Sequence, residues 1–191
     1  MQSKIKNIIQ SSVDTKLMVL NDAAMVSSIE KAVDLISTAF ENDHSVWFCG
    51  NGGSAADAQH LAAEFSGRFY KDRPPLPSDA LHCNTSYLTA VANDYSYDEV
   101  YARLLRGFGK KGDVLVGLST SGNSQNIVNA FEAARLNGIA TIGFTGDAGG
   151  KMKSLSDLLI SIPSTDTPRI QEAHMMIGHI ICGLVEERLF D

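Results

Sequence analysis

The sequence predicts an α/β fold, a three-layer α/β/α arrangement with a five-stranded, mostly parallel sheet that is preceded by an N-terminal helical pair. Apolar residues recur at helical spacing through the first forty residues, and short apolar runs then alternate with helical patterns. Such alternation is typical of a parallel sheet covered by helices on both faces. The 191 residues are 44% hydrophobic and 20% charged, which suits a single domain over 1–191.

The first forty residues predict two helices that precede the sheet. Apolar side chains recur every three or four residues over 5–17 and again over 26–40. The second stripe is close to a heptad repeat, which packs helix against helix either within this chain or across a subunit boundary. We therefore assign 1–42 to helices used in packing and oligomerisation, and 43–191 to the sheet core and the C-terminal helix.

Five short apolar runs are the predicted strands, and helical patterns separate them. The strands are predicted at 46–49, 80–83, 113–118, 140–144 and 157–162. The helices between and after them are predicted at 55–65, 87–92, 97–108 and 125–137, as a short helix near Lys151, and at 168–189. Ligands of such folds bind outside the carboxyl ends of the strands, so we expect functional residues in the loops that follow strands.

Charge and cysteine content exclude several classes of protein. With 16 Lys+Arg against 22 Asp+Glu the net charge is −6 and no dense basic run occurs, so nucleic acid is disfavoured as a partner. The three cysteines, Cys49, Cys83 and Cys182, form neither a disulfide framework nor a zinc knuckle. Neither a signal peptide nor a bilayer-spanning stretch is recognisable, so we expect a cytoplasmic protein with no membrane partner.

A glycine-rich segment, 50–55, lies where the first predicted strand turns into a helix. Glycines allow a ligand close to the backbone, and the helix start offers unpaired N–H groups. The segment also matches the dinucleotide pattern G-x-G-x-x-A, whose acidic partner would be Asp72. Asp72 lies in a proline-containing loop and not at a strand end, so the dinucleotide interpretation is weak, and a tight strand-to-helix turn is the structural alternative.

A second segment, here called the hydroxyl loop, follows the third predicted strand at 119–124. Four hydroxyls within these six residues can surround a phosphate together with helix N-terminal amides, and they need no lysine. Helix capping would account for only one of them. No G-x-x-x-x-G-K-[ST] motif occurs, so a small phosphorylated metabolite is favoured over nucleotide hydrolysis. The four hydroxyls belong to Ser119, Thr120, Ser121 and Ser124.

Two pairs of residues are candidates for proton transfer or metal binding. His60 and Glu64 are four residues apart and share one helix face, although such pairs are also common on solvated surfaces. Gln171 and His179 lie within about 80° on the last helix but about 12 Å apart along it. Both must lean toward a shared metal, so ligands drawn from two subunits are one hypothesis and a core histidine is the other.

Four motifs together resemble the bacterial phosphoheptose isomerases of the sugar isomerase (SIS) domain group. They lie at 50–60, 93–94, 118–124 and 169–172, in the family's order and spacing, and the resemblance covers nearly the whole chain. It implies a flavodoxin-like fold, a homotetramer with sites at subunit interfaces, and one zinc ion per subunit. The implied reaction converts sedoheptulose 7-phosphate to D-glycero-D-manno-heptose 7-phosphate by enediol-type proton transfer, for lipopolysaccharide core or other surface glycans.

The resemblance also implies roles for individual residues. Glu64 and His179 match the family's acid/base pair, and the matching zinc ligands are His60, Glu64, Gln171 and His179. Some members carry an acidic residue just before Arg-Ile-Gln, where this chain has Pro168. The matching substrate-binding residues are Asn51, Gly52, Gly53, Ser54, Arg68, Asn93, Asp94, Ser119, Thr120, Ser121, Ser124 and Gln171.

Two non-enzymatic relatives are the alternatives. One is a tetrameric scaffold that binds the bacterial replication initiator and shares the asparagine-containing loop and Arg-Ile-Gln-Glu. It lacks the glutamate and histidine at the positions of Glu64 and His179, so their presence here favours an enzyme. The other is a sugar-phosphate-sensing regulatory module, which uses the same hydroxyl loop but is normally fused to a DNA-binding region.

Overall fold

The computed structural model describes residues 1–191 and contains five strands and seven α-helices. The strands are β1 (Val46–Gly50), β2 (Ser78–Ala80), β3 (Val114–Leu118), β4 (Ala140–Gly146) and β5 (Leu158–Ile162). The α-helices are α1 (Gln2–Asn21), α2 (Ala23–Glu41), α3 (Gly53–Ser66), α4 (Thr85–Asp94), α5 (Val100–Phe108), α6 (Gln125–Leu136) and α7 (Thr167–Phe190). Short 3₁₀ helices lie at Tyr97–Glu99 and Gly150–Ser154.

All neighbouring strands pair in parallel, in the order β2-β1-β3-β4-β5. This confirms the predicted five-stranded parallel sheet. Because β1 and β3 are neighbours, the loops that follow them meet at the carboxyl edge of the sheet. The glycine-rich segment and the hydroxyl loop are those two loops.

Helices cover both faces of the sheet, and the side chains of β1 show how the strands serve both layers. Val46 and Phe48 pack in a core with α2, α3 and α7, whereas Trp47 and Cys49 pack in a second core with α4, α5 and α6. Alternation is expected because successive strand residues point to opposite faces. Gly117 in β3 admits the Phe131 ring, since a β-carbon there would lie 2.4 Å from it.

The predicted N-terminal helical pair is present, and its two helices differ in burial. Asp22 caps α2 by accepting hydrogen bonds from the amides of Ala24 and Met25. The apolar stripe of α2 is buried from Ile29 to Phe40, and only Val26 at its start is exposed. In contrast, α1 buries only Thr15 and Val19 and exposes the rest of its stripe. The exposed apolar residues of α1 are Ile5, Ile8, Ile9, Val13, Leu17, Met18 and Leu20.

Polar contacts attach α1 to the first turns of α7. Arg169, which is 8% exposed, donates from Nη1 to the carbonyl oxygen of Ile8 at 2.8 Å and from Nη2 to Glu172 at 2.6 Å. Ser12 donates to the other oxygen of Glu172 at 2.6 Å. The charged residues of the Arg-Ile-Gln-Glu motif therefore hold the N-terminal helix in place.

Three predicted elements differ in the structure. The second strand was expected at 80–83, but β2 ends at Ala80 because the chain turns there, with the Cys83 amide donating to the Ala80 carbonyl. The helix expected over 97–108 begins as a 3₁₀ turn, in which Ser96 accepts from the Asp98 amide. The short helix near Lys151 is also a 3₁₀ helix.

No helix combines the length and the apolar character needed to cross a lipid bilayer.

Candidate functional site

His60, Glu64 and His179 converge, and we call these three residues the triad. His60 Nε2 lies 2.9 Å from Glu64 Oε1 and 3.2 Å from His179 Nε2. One ligand atom from each residue lies within 4.8 Å of the other two. The sequence predicted the His60–Glu64 pair from its spacing, and the structure brings His179 of the same chain to it.

The triad forms because α3 and α7 approach closely. Gly178 is the contact point, since a β-carbon there would lie 2.6 Å from Leu61 Cδ2. Leu61 is 1% exposed and follows His60, while His179 follows Gly178. The missing side chain at Gly178 therefore sets the distance between the two imidazoles.

The donor set of the triad suits a small transition-metal ion. Two imidazole nitrogens and one carboxylate oxygen are typical zinc ligands, with bonds of about 2.0–2.2 Å. Ligand atoms around a tetrahedral zinc ion are about 3.3 Å apart on that basis. The observed separations from His60 Nε2, 2.9 and 3.2 Å, come close to that value.

Gln171 lies beside the glycine-rich segment. A β-carbon at Gly53 would be 2.7 Å from Gln171 Nε2, so the amide rests against the start of α3. His60 follows Gly53 by seven residues, which is about 10 Å along the helix. Within one chain, Gln171 is therefore about two turns away from the triad.

The hydroxyl loop keeps its hydroxyls together and leaves the helix start uncapped. Ser119 Oγ lies 3.1 Å from Ser124 Oγ and 3.5 Å from Ser121 Oγ. Ser124 occupies the N-cap position of α6, but its side chain makes no capping hydrogen bond. The capping explanation for this serine is therefore wrong.

Backbone donors in the hydroxyl loop are also free. The amides of Thr120, Ser121 and Ser124 donate to no acceptor within the chain. Free amides and hydroxyls before a helix N-terminus form a typical anion-binding arrangement. A neighbouring turn supports the loop, because Gly122 (φ +65°) packs against the Gly149 carbonyl so closely that a β-carbon would lie 2.1 Å from it.

The glycine-rich segment turns sharply before α3. Gly50 has no room for a side chain, because a β-carbon would lie 2.2 Å from the Ser54 carbonyl oxygen. Gly52 has φ +57°, which favours glycine. Ser54 is buried in the first turn of α3, and between the two glycines Asn51 is half-buried.

Asn93 and Asp94 lie at the end of α4, close to the same segment. The Asn93 side-chain amide donates from Nδ2 to the Asp94 carboxylate at 2.9 Å. Three residues later, the Tyr97 hydroxyl donates to Asn51 Oδ1 at 3.0 Å, which brings this part of the chain next to Asn51. Arg68, by contrast, is exposed beyond the end of α3 and makes no ion pair within the chain.

A buried carboxylate anchors the segment 69–73, which directly follows Arg68. Glu186, 1% exposed, accepts hydrogen bonds from the amides of Phe69, Tyr70 and Lys71 at 3.1, 2.7 and 2.7 Å, and from Arg73 Nε at 3.0 Å. Burial alone would raise the pKa of Glu186, but these four donors outweigh it and hold the pKa below its usual value. The carboxylate is therefore charged.

Phe69, in that anchored segment, touches the triad. Its ring stacks on the His179 imidazole, with the centroids 5.6 Å apart and the planes inclined by 25°. No sequence pattern predicts this contact, because an aromatic residue after a helix carries no motif of its own. Asn126 and Tyr97 carry no motif either, although they hydrogen-bond Asn51 from distant parts of the sequence.

The chain matches the model of the SIS domain family over residues 12–146. The phosphoheptose isomerase of Clostridium acetobutylicum is 50% identical over 190 residues, covering 100% of this chain and 97% of the relative. That of Rhodospirillum rubrum is 50% identical, covering 99% of each. The solved phosphoheptose isomerase of Neisseria gonorrhoeae shares 38% identity with a TM-score of 0.91, and that of Francisella tularensis 32% with 0.93; both alignments cover 97% of this chain and 98% of the other.

Proposed function

The chain belongs to the SIS domain family, and from that premise we propose that it converts sedoheptulose 7-phosphate to D-glycero-D-manno-heptose 7-phosphate. Its identity to phosphoheptose isomerases over the full length makes it an isomerase of phosphorylated sugars in heptose biosynthesis. The observation that carries the finer proposal is the triad. It is a carboxylate and two imidazoles whose ligand atoms lie within 4.8 Å of one another, on helices that begin at the edge holding the hydroxyl loop.

Substrate binding uses the two loops at the carboxyl edge. The free amides and hydroxyls of the hydroxyl loop bind the phosphate, which explains how a chain of net charge −6 holds an anion. Asn51, Gly52, Gly53 and Ser54, with Asn93 and Asp94, contact the sugar. Arg68 is exposed beyond the end of α3, about 20 Å along that helix from Gly53, and we assign it to a substrate held by a neighbouring subunit.

The reaction moves one hydrogen between carbons and one between oxygens. In the assembly proposed below, Glu64 reaches a sugar held by a neighbouring subunit. It removes the proton from C1 of the ketose, the C–H electron pair forms the C1=C2 bond, and the C2 oxygen takes up a proton. The enediol then loses its O1 proton and gains one at C2, which leaves the aldehyde at C1. A carboxylate and an imidazole suit these steps near neutral pH, with His179 serving the oxygens.

The triad also supports zinc as the cofactor, at one ion per subunit. His60, Glu64 and His179 provide three ligands of the right type, and Gln171 is the proposed fourth. Bound zinc would polarise the substrate oxygens. Because Glu64 and His179 are proposed both as ligands and as acid and base, His60 is the one histidine of the triad reserved for holding the ion.

A homotetramer with sites between subunits is the proposed assembly. The apolar face of α1 is exposed, and a continuous patch of this kind marks an interaction surface. The same helix contacts α7 through Ser12 and Glu172, next to Gln171. A partner subunit that covers α1 would therefore lie beside Gln171, and could bring its own triad to that amide.

The proposed product enters the heptoses of lipopolysaccharide core or other surface glycans. We place the reaction in the cytoplasm, which the three free thiols support because such thiols persist in a reducing compartment.

Incubation of the purified protein with sedoheptulose 7-phosphate tests the proposal. We expect NMR to show the aldose product, and we expect a chelator to remove the activity and added zinc to restore it. In D₂O, solvent deuterium should enter the product at C2. If zinc-loaded protein forms no aldose, the proposed reaction is wrong, and binding to the replication initiator becomes the next assay.

A further inference from the structure

We infer that Asn126 is a positioning residue that fixes the amide of Asn51, so that Asn51 offers the sugar an N–H donor. The inference rests on the proposed function, in which Asn51 contacts the substrate. Asn126 lies in the first turn of α6 and is 2% exposed, whereas Asn51 follows β1 and is half-buried. The pair joins the two loops that bind the two ends of the substrate.

The backbone of α6 sets the orientation of the Asn126 amide. The amide of Ile127, which also reaches the Ser124 carbonyl, donates to Asn126 Oδ1 at 3.0 Å. If the Asn126 side chain turned over, its NH₂ group would face this N–H, and two donors would meet in a buried place. Oδ1 of Asn126 therefore stays directed toward Ile127.

Asn126 in turn sets the orientation of Asn51. Its Nδ2 donates to Asn51 Oδ1 at 2.9 Å, and its Oδ1 accepts from Asn51 Nδ2, also at 2.9 Å. A turned Asn51 would place oxygen against oxygen and nitrogen against nitrogen. The reciprocal pair therefore permits only one orientation of the Asn51 amide.

Two tyrosine hydroxyls, those of Tyr97 and Tyr101, also lie beside Asn51. Tyr97 donates to Asn51 Oδ1 at 3.0 Å, so both lone pairs of this oxygen are used. Tyr101 is fully buried, and its hydroxyl donates to the Gly50 carbonyl while lying 3.4 Å from Asn51 Oδ1, so it too presents a donor to that oxygen. One hydrogen of Asn51 Nδ2 has no acceptor in the chain. Asn51 can therefore serve an oxygen of the sugar only as a donor.

A double-mutant cycle measures the coupling. We expect Asn126→Ala to lower kcat/KM for sedoheptulose 7-phosphate about tenfold, the scale of one hydrogen bond. Because Asn126 acts through Asn51, the variant with both asparagines changed to alanine should be no slower than Asn51→Ala alone. Asn137→Ala removes an amide at the other end of α6 and should stay within about twofold of wild type. An unchanged Asn126→Ala variant, or losses that multiply in the double variant, would overturn the inference.

A second measurement separates the inference from the proposed function. With ¹⁵N-labelled asparagine, the side-chain NH₂ signals of Asn51 in the ligand-free protein should shift in Asn126→Ala and stay in place in Asn137→Ala. If Asn126→Ala fails to fold, Asn126→Asp replaces it, because its carboxylate still accepts from Ile127 but sets an oxygen against Asn51 Oδ1. Should wild type be inactive, shifted signals still support the positioning and unshifted signals overturn it.

Discussion

Two histidines on α7, His174 and His179, differ in burial and therefore in what they can do. His174 is fully buried, pairs with the Thr145 carbonyl at 3.0 Å, and packs against Phe144. Burial lowers its pKa to about 4, although the hydrogen bond to Thr145 acts in the opposite direction. It is a neutral core residue near pH 7. His179, five residues later, is partly exposed and faces His60 and Glu64, so it is the one available for chemistry.

At the scale of single residues, we predict that turnover requires Glu64 and His179 of the triad. Changing Glu64→Gln or His179→Gln keeps the side-chain volume but removes the proton-transferring group, so we expect turnover to fall by at least about 10²-fold. The oligomer mass and the unfolding transition should match those of wild type. Glu132→Gln, at an exposed position on α6, is the control that should keep full activity. Full turnover in either triad variant would contradict the assignment.

A second residue-scale prediction separates a phosphate ligand from a helix cap. Because the Ser124 side chain does not cap α6, Ser124→Ala should raise KM about tenfold or more, with little change in thermal stability. Asp22 does cap α2, so Asp22→Ala should cost about 1 kcal/mol of unfolding free energy and leave KM unchanged. Steady-state kinetics and thermal melts of both variants provide the comparison. If the two variants lost the same stability and had the same KM, Ser124 would not be distinguished from a helix cap.

At the scale of the element, the sequence predicts those strands and helices that are long enough to show a hydrophobic period of their own. β2 was misplaced because a three-residue edge strand has too few residues to show a period. The His60–Glu64 pair was accessible from helical spacing alone. The contacts of Phe69 and Asn126 were not, because each depends on which distant segments the sheet order brings together.

The helix pair α3 and α7 supplies an element-scale prediction. A β-carbon at Gly178 meets the buried Leu61 side chain, so Gly178→Ala should separate the helices and cost about 1–3 kcal/mol. Zinc binding and turnover should fall as His179 moves away from His60. Gly183→Ala is the matched control on α7, because its β-carbon would have an ordinary 3.4 Å contact with Phe69. Titration of zinc into the apoprotein distinguishes the two, and equal affinities would contradict the expectation.

The segment anchored by Glu186 supplies a pH-dependent prediction. Because its pKa is lower in the folded chain than the usual 4.5, the carboxylate stabilises the fold at neutral pH. This contribution is lost as pH falls from about that usual value through the folded pKa. Glu186→Gln should cost about 3 kcal/mol near pH 7, and the cost should shrink in acid.

Denaturant unfolding from pH 7 to pH 3 measures the effect of Glu186. Glu187→Gln, at the exposed neighbouring position, is the control and should follow the wild-type curve. If the difference in unfolding free energy between wild type and Glu186→Gln stayed constant from pH 7 to pH 3, the charged carboxylate would not be the form that anchors the segment.

At the scale of the whole molecule, the proposed zinc site and the proposed homotetramer make a joint prediction about where the fourth ligand comes from. The three triad residues come from one chain. The Gln171 amide of that chain lies beside Gly53, and Gly53 is about 10 Å along α3 from His60. The apolar face of α1 is exposed next to Gln171, and in the proposed assembly a partner subunit covers it. A partner's triad could then receive this Gln171 as its fourth ligand.

Mixed oligomers test this arrangement. Gln171→Ala and His179→Ala subunits should each have little activity alone, but random mixing should restore about a quarter of the wild-type rate, since half the subunits keep the triad and half of their partners keep Gln171. His60→Ala mixed with His179→Ala is the control and should restore nothing, because both side chains belong to one chain's triad. Recovered activity in the control would show that His60 and His179 of one site come from different chains. No recovered activity in the first mixture would show that Gln171 is not supplied by a partner subunit.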